Sequence, residues 1–152
     1  MRVAVLSSGG KDSAAAWWWA MCRGWTVEAL VTVTITGEDS PRFQVPSTHV
    51  VERQAALAGV PWVDVNTSGD VPQDLEVLEQ ALGQLNIEGF VSGALRSDYQ
   101  KARLERMAER LGVVSWTPLW HQSGHDHVKG MVEQGFEIMI TGVSAEGLTD
   151  AW

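Results

Sequence analysis

The sequence predicts an α/β fold, a doubly wound parallel sheet of about five or six strands with helices on both faces. Three observations carry this expectation. Short apolar runs alternate with longer stretches of helical spacing, the order that produces βαβ units. The runs are mostly continuous, as in strands buried on both faces. Gly24, Gly59, Gly112 and Gly135 each stand where a helix-ending glycine belongs. A length of 152 residues matches a single domain over positions 1–152.

Taken in order, the first run is Val3–Ser7, followed by a glycine turn and a helical stretch over Asp12–Arg23. Val27–Ile35 is the second strand, Thr36–Pro46 an irregular loop with a glycine and two prolines, and Ser47–Ala58 the second helix. Trp62–Val65, Phe90–Ser92 and Val113–Trp116 continue the strands; Pro72–Leu85, Ser97–Leu111 and Asp126–Gln134 continue the helices. Phe136–Val143 closes the series as a sixth strand. Loops at the C-terminal edge of such a sheet are where ligands bind.

Composition narrows the function. Eleven Lys and Arg against 19 Asp and Glu leave a net charge of −8, which repels nucleic acid and anionic lipid at long range. One cysteine, Cys22, allows neither an internal disulfide nor a cysteine cluster, and suits a reducing compartment. The longest apolar run, Ala14–Cys22, is far short of the ~20 residues of a membrane span, and no charged-then-apolar leader precedes Val3. A cytoplasmic protein is expected.

The chemistry is concentrated in Ser7-Ser8-Gly9-Gly10-Lys11-Asp12-Ser13, directly after the first strand. Adjacent glycines turn the backbone sharply and present N–H groups, and the helix start adds partial positive charge, so the turn is a socket for an anion. Ser8 and Ser13 add hydroxyl donors and Lys11 a compensating charge. Asp12 supplies either a helix cap or a carboxylate for a phosphate-bound magnesium. Neither the G-x-x-x-x-G-K-[ST] nor the G-x-G-x-x-G pattern is present here.

The S-G-G-x-D-S motif resembles the signature of the PP-loop ATP pyrophosphatases, which cleave ATP between its α and β phosphates. A second block, Gly93-Ala94-Leu95-Arg96-Ser97-Asp98-Tyr99-Gln100-Lys101-Ala102-Arg103, resembles a segment of the diphthine–ammonia ligases within that superfamily. Leu111-Gly112, Pro118-Leu119-Trp120, Asp39-Ser40 and Glu146-Gly147-Leu148 match as well. The resemblance implies a Rossmann-like, HUP-type domain that binds ATP with Mg2+, using Lys11 and Asp12 as catalytic residues. Ser7 to Ser13 and Gly93 would hold the nucleotide. Ser97, Asp98, Tyr99, Gln100 and Arg103 would line the neighbouring substrate side. The implied reaction activates a carboxylate on the modified histidine of translation elongation factor 2 by AMP transfer and amidates it with ammonia, releasing AMP and pyrophosphate. Ser97 and Asp98 also suit a plain helix start, and Tyr99 simple packing.

Departures from the family pattern open alternatives. Family members continue past the Gly-Leu segment, carry a histidine near Gln44, and run into an L-G-R stretch absent after Leu148. The chain is then expected to be C-terminally incomplete, to be completed by a dimer partner, or to bind ATP without the ligase step. An ATP pyrophosphatase with another acceptor and a non-catalytic nucleotide binder are the rival functions.

Other features have bland and sharp readings. Residues 96–110 hold five basic against three acidic side chains, either approaching an anionic partner or forming a solvated, ion-paired helix face. Trp17-Trp18-Trp19 fall about 100° apart on a helix, so at least one ring is partly exposed, a candidate homodimer patch. His121, His125 and His127 match no usual ligand spacing and are expected in a solvent loop, with no metal site. Cys22 is expected to pack as a small hydrophobe.

Overall fold

The computed structural model describes residues 1–35, 48–67 and 71–139, and the chain divides into two compact units, Met1–Gln122 and Ser123–Trp152. The first unit contains β1 (Arg2–Leu6), α1 (Lys11–Cys22), β2 (Thr26–Ile35), α2 (Thr48–Ala58), β3 (Trp62–Thr67), α3 (Val71–Gly83), β4 (Gly89–Ser92), α4 (Asp98–Leu111) and β5 (Val114–Trp116). The strands form one parallel sheet in the order β3-β2-β1-β4-β5. The chain therefore reverses its direction of travel between β1 and β4, the place where a doubly wound sheet opens a crevice at its C-terminal edge.

Alternation along the strands feeds two cores. Val3 and Val5 of β1, Leu30 of β2 and Val91 of β4 pack with Ala16 and Ala20 of α1 and with Val51 and Ala55 of α2. Ala4, Ala29, Val31, Val65 and Phe90 point to the other face, against Leu78 and Leu82 of α3 and Leu104, Met107 and Ala108 of α4. All of these are fully or nearly fully buried. The central strands β1 and β4 are buried on both sides because each side meets a helix, the property that made their runs continuous, whereas β3 ends in alternating exposed and buried residues. Between Val3 and Ala4 the β1–β2 register slips by one residue, with Glu28 the extra one.

The α1 helix packs through small residues, Ser13, Ala15, Ala16 and Ala20, which brings its axis close to the sheet. Its three tryptophans divide as helical geometry requires: Trp17 and Trp19 are half-buried, and Trp18 keeps 39% of its surface. Trp19, Trp25 and Trp116 form a triad with ring centroids 5.2 to 6.0 Å apart, and the Arg23 guanidinium lies 3.7 Å from the centre of the Trp19 ring. Cys22 corrects its expectation: it is exposed, the last residue of α1 and about 200° around the helix from Ala20.

The second unit contains α5 (Gly124–Glu133). Ser123 caps it, its Oγ accepting from the Asp126 amide at 3.1 Å and donating to the Asp126 carboxylate at 2.6 Å. The histidine expectation changes accordingly. Gly124 opens this helix and does not interrupt it, so His125 and His127 lie on α5, and His127 is buried. Phe136–Met139 form no strand; the rest of the expected sixth strand lies outside the described residues. So do the Thr36–Pro46 loop with Asp39, Ser40 and Gln44, and the Glu146-Gly147-Leu148 segment. Among the described residues, no helix is long and apolar enough to cross a membrane.

On the α3–α4 face, Arg110 Nε donates to both carboxylate oxygens of Glu79, at 2.9 and 3.0 Å. These hydrogen bonds hold Glu79 below its ordinary carboxylate value. A depressed folded-state pKa means stability that is present above the unfolded carboxylate range and lost as pH falls through the folded value. Glu79→Gln is expected to melt slightly below the parent near neutral pH and to converge with it in acid. Thermal melts from neutral pH down to about pH 3 test this, and a gap that persists unchanged into acid would contradict it.

Candidate functional site

At the C-terminal end of β1 the backbone leaves the sheet through Ser7, whose amide donates to the Val31 carbonyl at 2.8 Å. Ser7 is buried, and its Oγ accepts from the Gly9 amide at 3.3 Å. Gly9 has φ +80°, the left-handed region that glycine adopts without steric cost. Gly10 is the N-cap of α1, and no side chain caps that helix. The alternative of Asp12 as cap is thereby removed: Asp12 lies inside the first turn, its carboxylate 2.8 Å from Lys11 Nζ. Ser13 is buried and donates to the Gly10 carbonyl at 2.9 Å. The turn is thus pinned by its own serines, while Ser8, Gly10 and Lys11 remain exposed. The Gly9 amide is directed at Ser7, which leaves the amides that open α1 as the donors of the turn.

The second block enters from β4. A Cβ at Gly93 would stand 2.6 Å from the Asp12 carbonyl carbon and oxygen and 2.8 Å from the Ser13 nitrogen, closer than any real side-chain atom sits. Only a glycine lets the chain leaving β4 lie against the first turn of α1. Ser92, buried one residue earlier, accepts from the Ala94 amide at 3.3 Å. Ser97 then caps α4, its Oγ accepting from the Gln100 amide at 3.3 Å, and Gly112 ends that helix at φ +68°.

Two adjoining clefts result. One, of about 310 Å3, is lined by Ser7, Ser8, Asp12 and Ser13 from the first loop and by Ser92, Gly93, Ala94 and Gln100 from the second. The other, of about 470 Å3, shares Ser92 and Gln100 with it and adds Asp74, Leu75, Ser97, Tyr99, Arg103 and Leu104. Both have the size of small-molecule sites. Of the expected substrate-side residues, Ser97, Tyr99, Gln100 and Arg103 are therefore brought together. Asp98 is exposed in the first turn of α4 and lines neither cleft.

The basic helix resolves into separate fates. Lys101 pairs with Glu105 and lies 5.5 Å from the Trp120 ring centre; Arg110 is held by Glu79. Arg103 stacks on Tyr99 at 3.9 Å and reaches the second cleft. The His121 amide donates to the Leu95 carbonyl at 3.0 Å, tying the turn after β5 to the second block, with His121 itself at φ +62°. Among the described residues, no group of three His, Cys, Asp or Glu side chains is arranged to hold a metal ion.

Asp74 and Ser92 were not legible as cleft residues. Asp74 belongs to α3, and its only advance signal is position: an acidic residue in the first turn of a helix that follows the C-terminal end of a strand.

The family model described as the diphthamide synthase N-terminal domain matches residues 1–115. Diphthine–ammonia ligases of Rattus norvegicus and Homo sapiens are each 29% identical over 170 residues, spanning 97% of this chain and 64% of theirs. The diphthine–ammonia ligase of Schizosaccharomyces pombe is 28% identical over 169 residues, 98% of this chain and 28% of that protein. The chain thus spans just under two thirds of its mammalian relatives. A solved structure described as a predicted subunit of tRNA methyltransferase from Methanocaldococcus jannaschii superposes with a TM-score of 0.62 at 19% identity, over 97% of this chain and 82% of that one. That likeness is one of fold.

The Gly93 contact separates two glycines that look equivalent in the sequence. Gly93→Ala is expected to destabilise by roughly 1–3 kcal/mol through overpacking against α1. Gly10→Ala, whose new Cβ would meet only Ser8 Oγ at 3.7 Å, is expected to leave the unfolding midpoint near that of the parent. Urea titration of both variants distinguishes them; equal midpoints would refute the close approach.

Proposed function

The chain belongs to the family of the diphthamide synthase N-terminal domain, and from that premise we propose that it is the ATP-handling part of an AMP-forming carboxylate–ammonia ligase. The observation that carries the reading is the Gly93–Asp12 approach, which places the glycine turn and the Ser97–Arg103 block on one pair of clefts at the reversal point of the sheet. In this reading the amides that open α1, with Ser8 and Lys11, receive the β and γ phosphates of ATP. Ser7 and Ser13 are buried and hydrogen-bonded, and act by shaping the turn.

Hard oxygen donors fit Mg2+, which takes one or two protein carboxylates and otherwise phosphate and water. Asp12 lines the cleft with Ser8 and Ser13 beside it, and would supply that single carboxylate. When bound, the ion would neutralise charge on the departing pyrophosphate. The chain's own contribution is positioning and charge. Lys11 offsets the polyphosphate, and Arg103, its plane fixed on Tyr99, presents a guanidinium to the acceptor carboxylate or its mixed anhydride with AMP. A carboxylate becomes an electrophile once its oxygen leaves as AMP, and ammonia then closes the amide. The acceptor proposed is the diphthine side chain of translation elongation factor 2, with ATP and ammonium as co-substrates.

Lys11→Ala and Asp12→Ala are each expected to lower AMP and pyrophosphate release at least tenfold, equivalent to about 1.4 kcal/mol or more, with circular dichroism and unfolding midpoints close to those of the parent. Lys11 is exposed and Asp12 half-buried at the mouth of the cleft, and neither belongs to the two apolar cores. Parent-like turnover and ATP binding in both variants would rule out the loop assignment.

A further inference from the structure

Resting on the ligase reading, the geometry points to Asp74 as the residue that receives the nitrogen substrate as ammonium and takes its proton. Asp74 lies in the first turn of α3 and lines the second cleft together with Ser97, Gln100 and Arg103. Its Oδ1 accepts a hydrogen bond from Thr67, the buried last residue of β3, so the carboxylate is anchored from the sheet edge. Ser92 and Gln100 belong to both clefts, so this carboxylate opens onto the space beside the phosphate loop.

Three features fit a small cation there. Among the charged side chains lining this cleft, Asp74 is the one anion; Arg103 is the cation, and Tyr99 the other ionisable group. Arg103 is stacked on the Tyr99 ring and makes no ion pair with Asp74 among the described residues, so the carboxylate is not there to neutralise it. The remaining polar lining, Ser92, Ser97 and Gln100, offers hydroxyl and amide oxygens of the kind that complete the hydrogen bonds of an ammonium ion.

The proton bookkeeping closes. Ammonium gives one proton to the Asp74 carboxylate and becomes ammonia. The nitrogen lone pair forms the C–N bond at the activated carbonyl carbon, and the bond from that carbon to the AMP oxygen breaks with its electron pair leaving on AMP. Nitrogen loses a second proton to water, giving the neutral amide, and Asp74 returns its proton to solvent. A carboxylate is intrinsically a weaker base than ammonia, so the transfer is drawn to completion by the attack that follows it.

The test uses the whole chain with elongation factor 2 carrying diphthine, and compares ammonium with hydroxylamine, which is largely uncharged at neutral pH. Asp74→Asn is expected to lower amide formation roughly 100-fold at about pH 7, to narrow that gap at least tenfold near about pH 9, where free ammonia is abundant, and to form hydroxamate at close to the parent rate throughout. Thr67→Val, which keeps the buried shape, is expected to raise the KM for ammonium several-fold with kcat held. An equal loss with both nucleophiles at every pH, or a Thr67→Val protein with an unchanged ammonium KM, overturns the assignment. A parent protein that releases no AMP with this acceptor overturns the ligase reading itself, a separate result.

Discussion

The clefts depend on a single steric constraint: backbone meets backbone where the exit of β4 crosses the first turn of α1. With a carbonyl and an amide of α1 already where a Cβ at Gly93 would have to go, the separation of the two loops is fixed by main-chain packing. The sheet order makes this contact possible, since β1 and β4 are hydrogen-bonded neighbours from Val3–Gly89 to Leu6–Ser92 and their following loops emerge side by side. The small residues of α1 act in the same direction, because Ala16 and Ala20 allow the helix to lie low enough on Val3 and Val5 for its N-terminus to reach the second loop.

In an acidic chain, any positive potential at the clefts has to be arranged locally. The described chain does this with backbone amides and a few placed cations. Lys11 sits at the loop beside its own counter-charge Asp12, and Arg103 is ordered by an aromatic face in place of a carboxylate. Pairing Arg110 with Glu79 and Lys101 with Glu105 removes two further cations of α4 from competition for the same ligand. The net charge of −8 then disfavours loose association with nucleic acid, while the cleft retains its own field.

Much of the fold was legible because its determinants are local. Continuous apolar runs marked the strands, and glycines at positive φ after α1, α2, α4 and α5 marked helix ends, so element limits moved by only a few residues. The first loop was legible for the same reason: strand, two glycines and helix start are contiguous. Besides the sixth strand, which Phe136–Met139 do not form, three things were not. Cys22 sits in an apolar stretch, yet which side of α1 faces the sheet is decided by the alanines. Ser123 draws Gly124 into the start of α5 through a cap whose partner lies three residues on. Asp74 reaches the cleft only because α3 begins at the same sheet edge as the glycine turn, a juxtaposition that exists in the strand order and in no stretch of sequence. The diphthine–ammonia ligase resemblance identified the second block, but not the contact that gives Gly93 its place in it.

The tryptophan triad carries an optical consequence. Trp19, Trp25 and Trp116 come from α1, from the turn before β2 and from the edge strand β5, with planes inclined by 42° to 90°. Indoles this close and this crossed couple their electronic transitions, so the ultraviolet dichroism of the folded chain contains an aromatic couplet superimposed on the peptide bands. Its amplitude reports whether the edge strand is docked against the first helix, an intrinsic chromophore for that part of the sheet that needs no label.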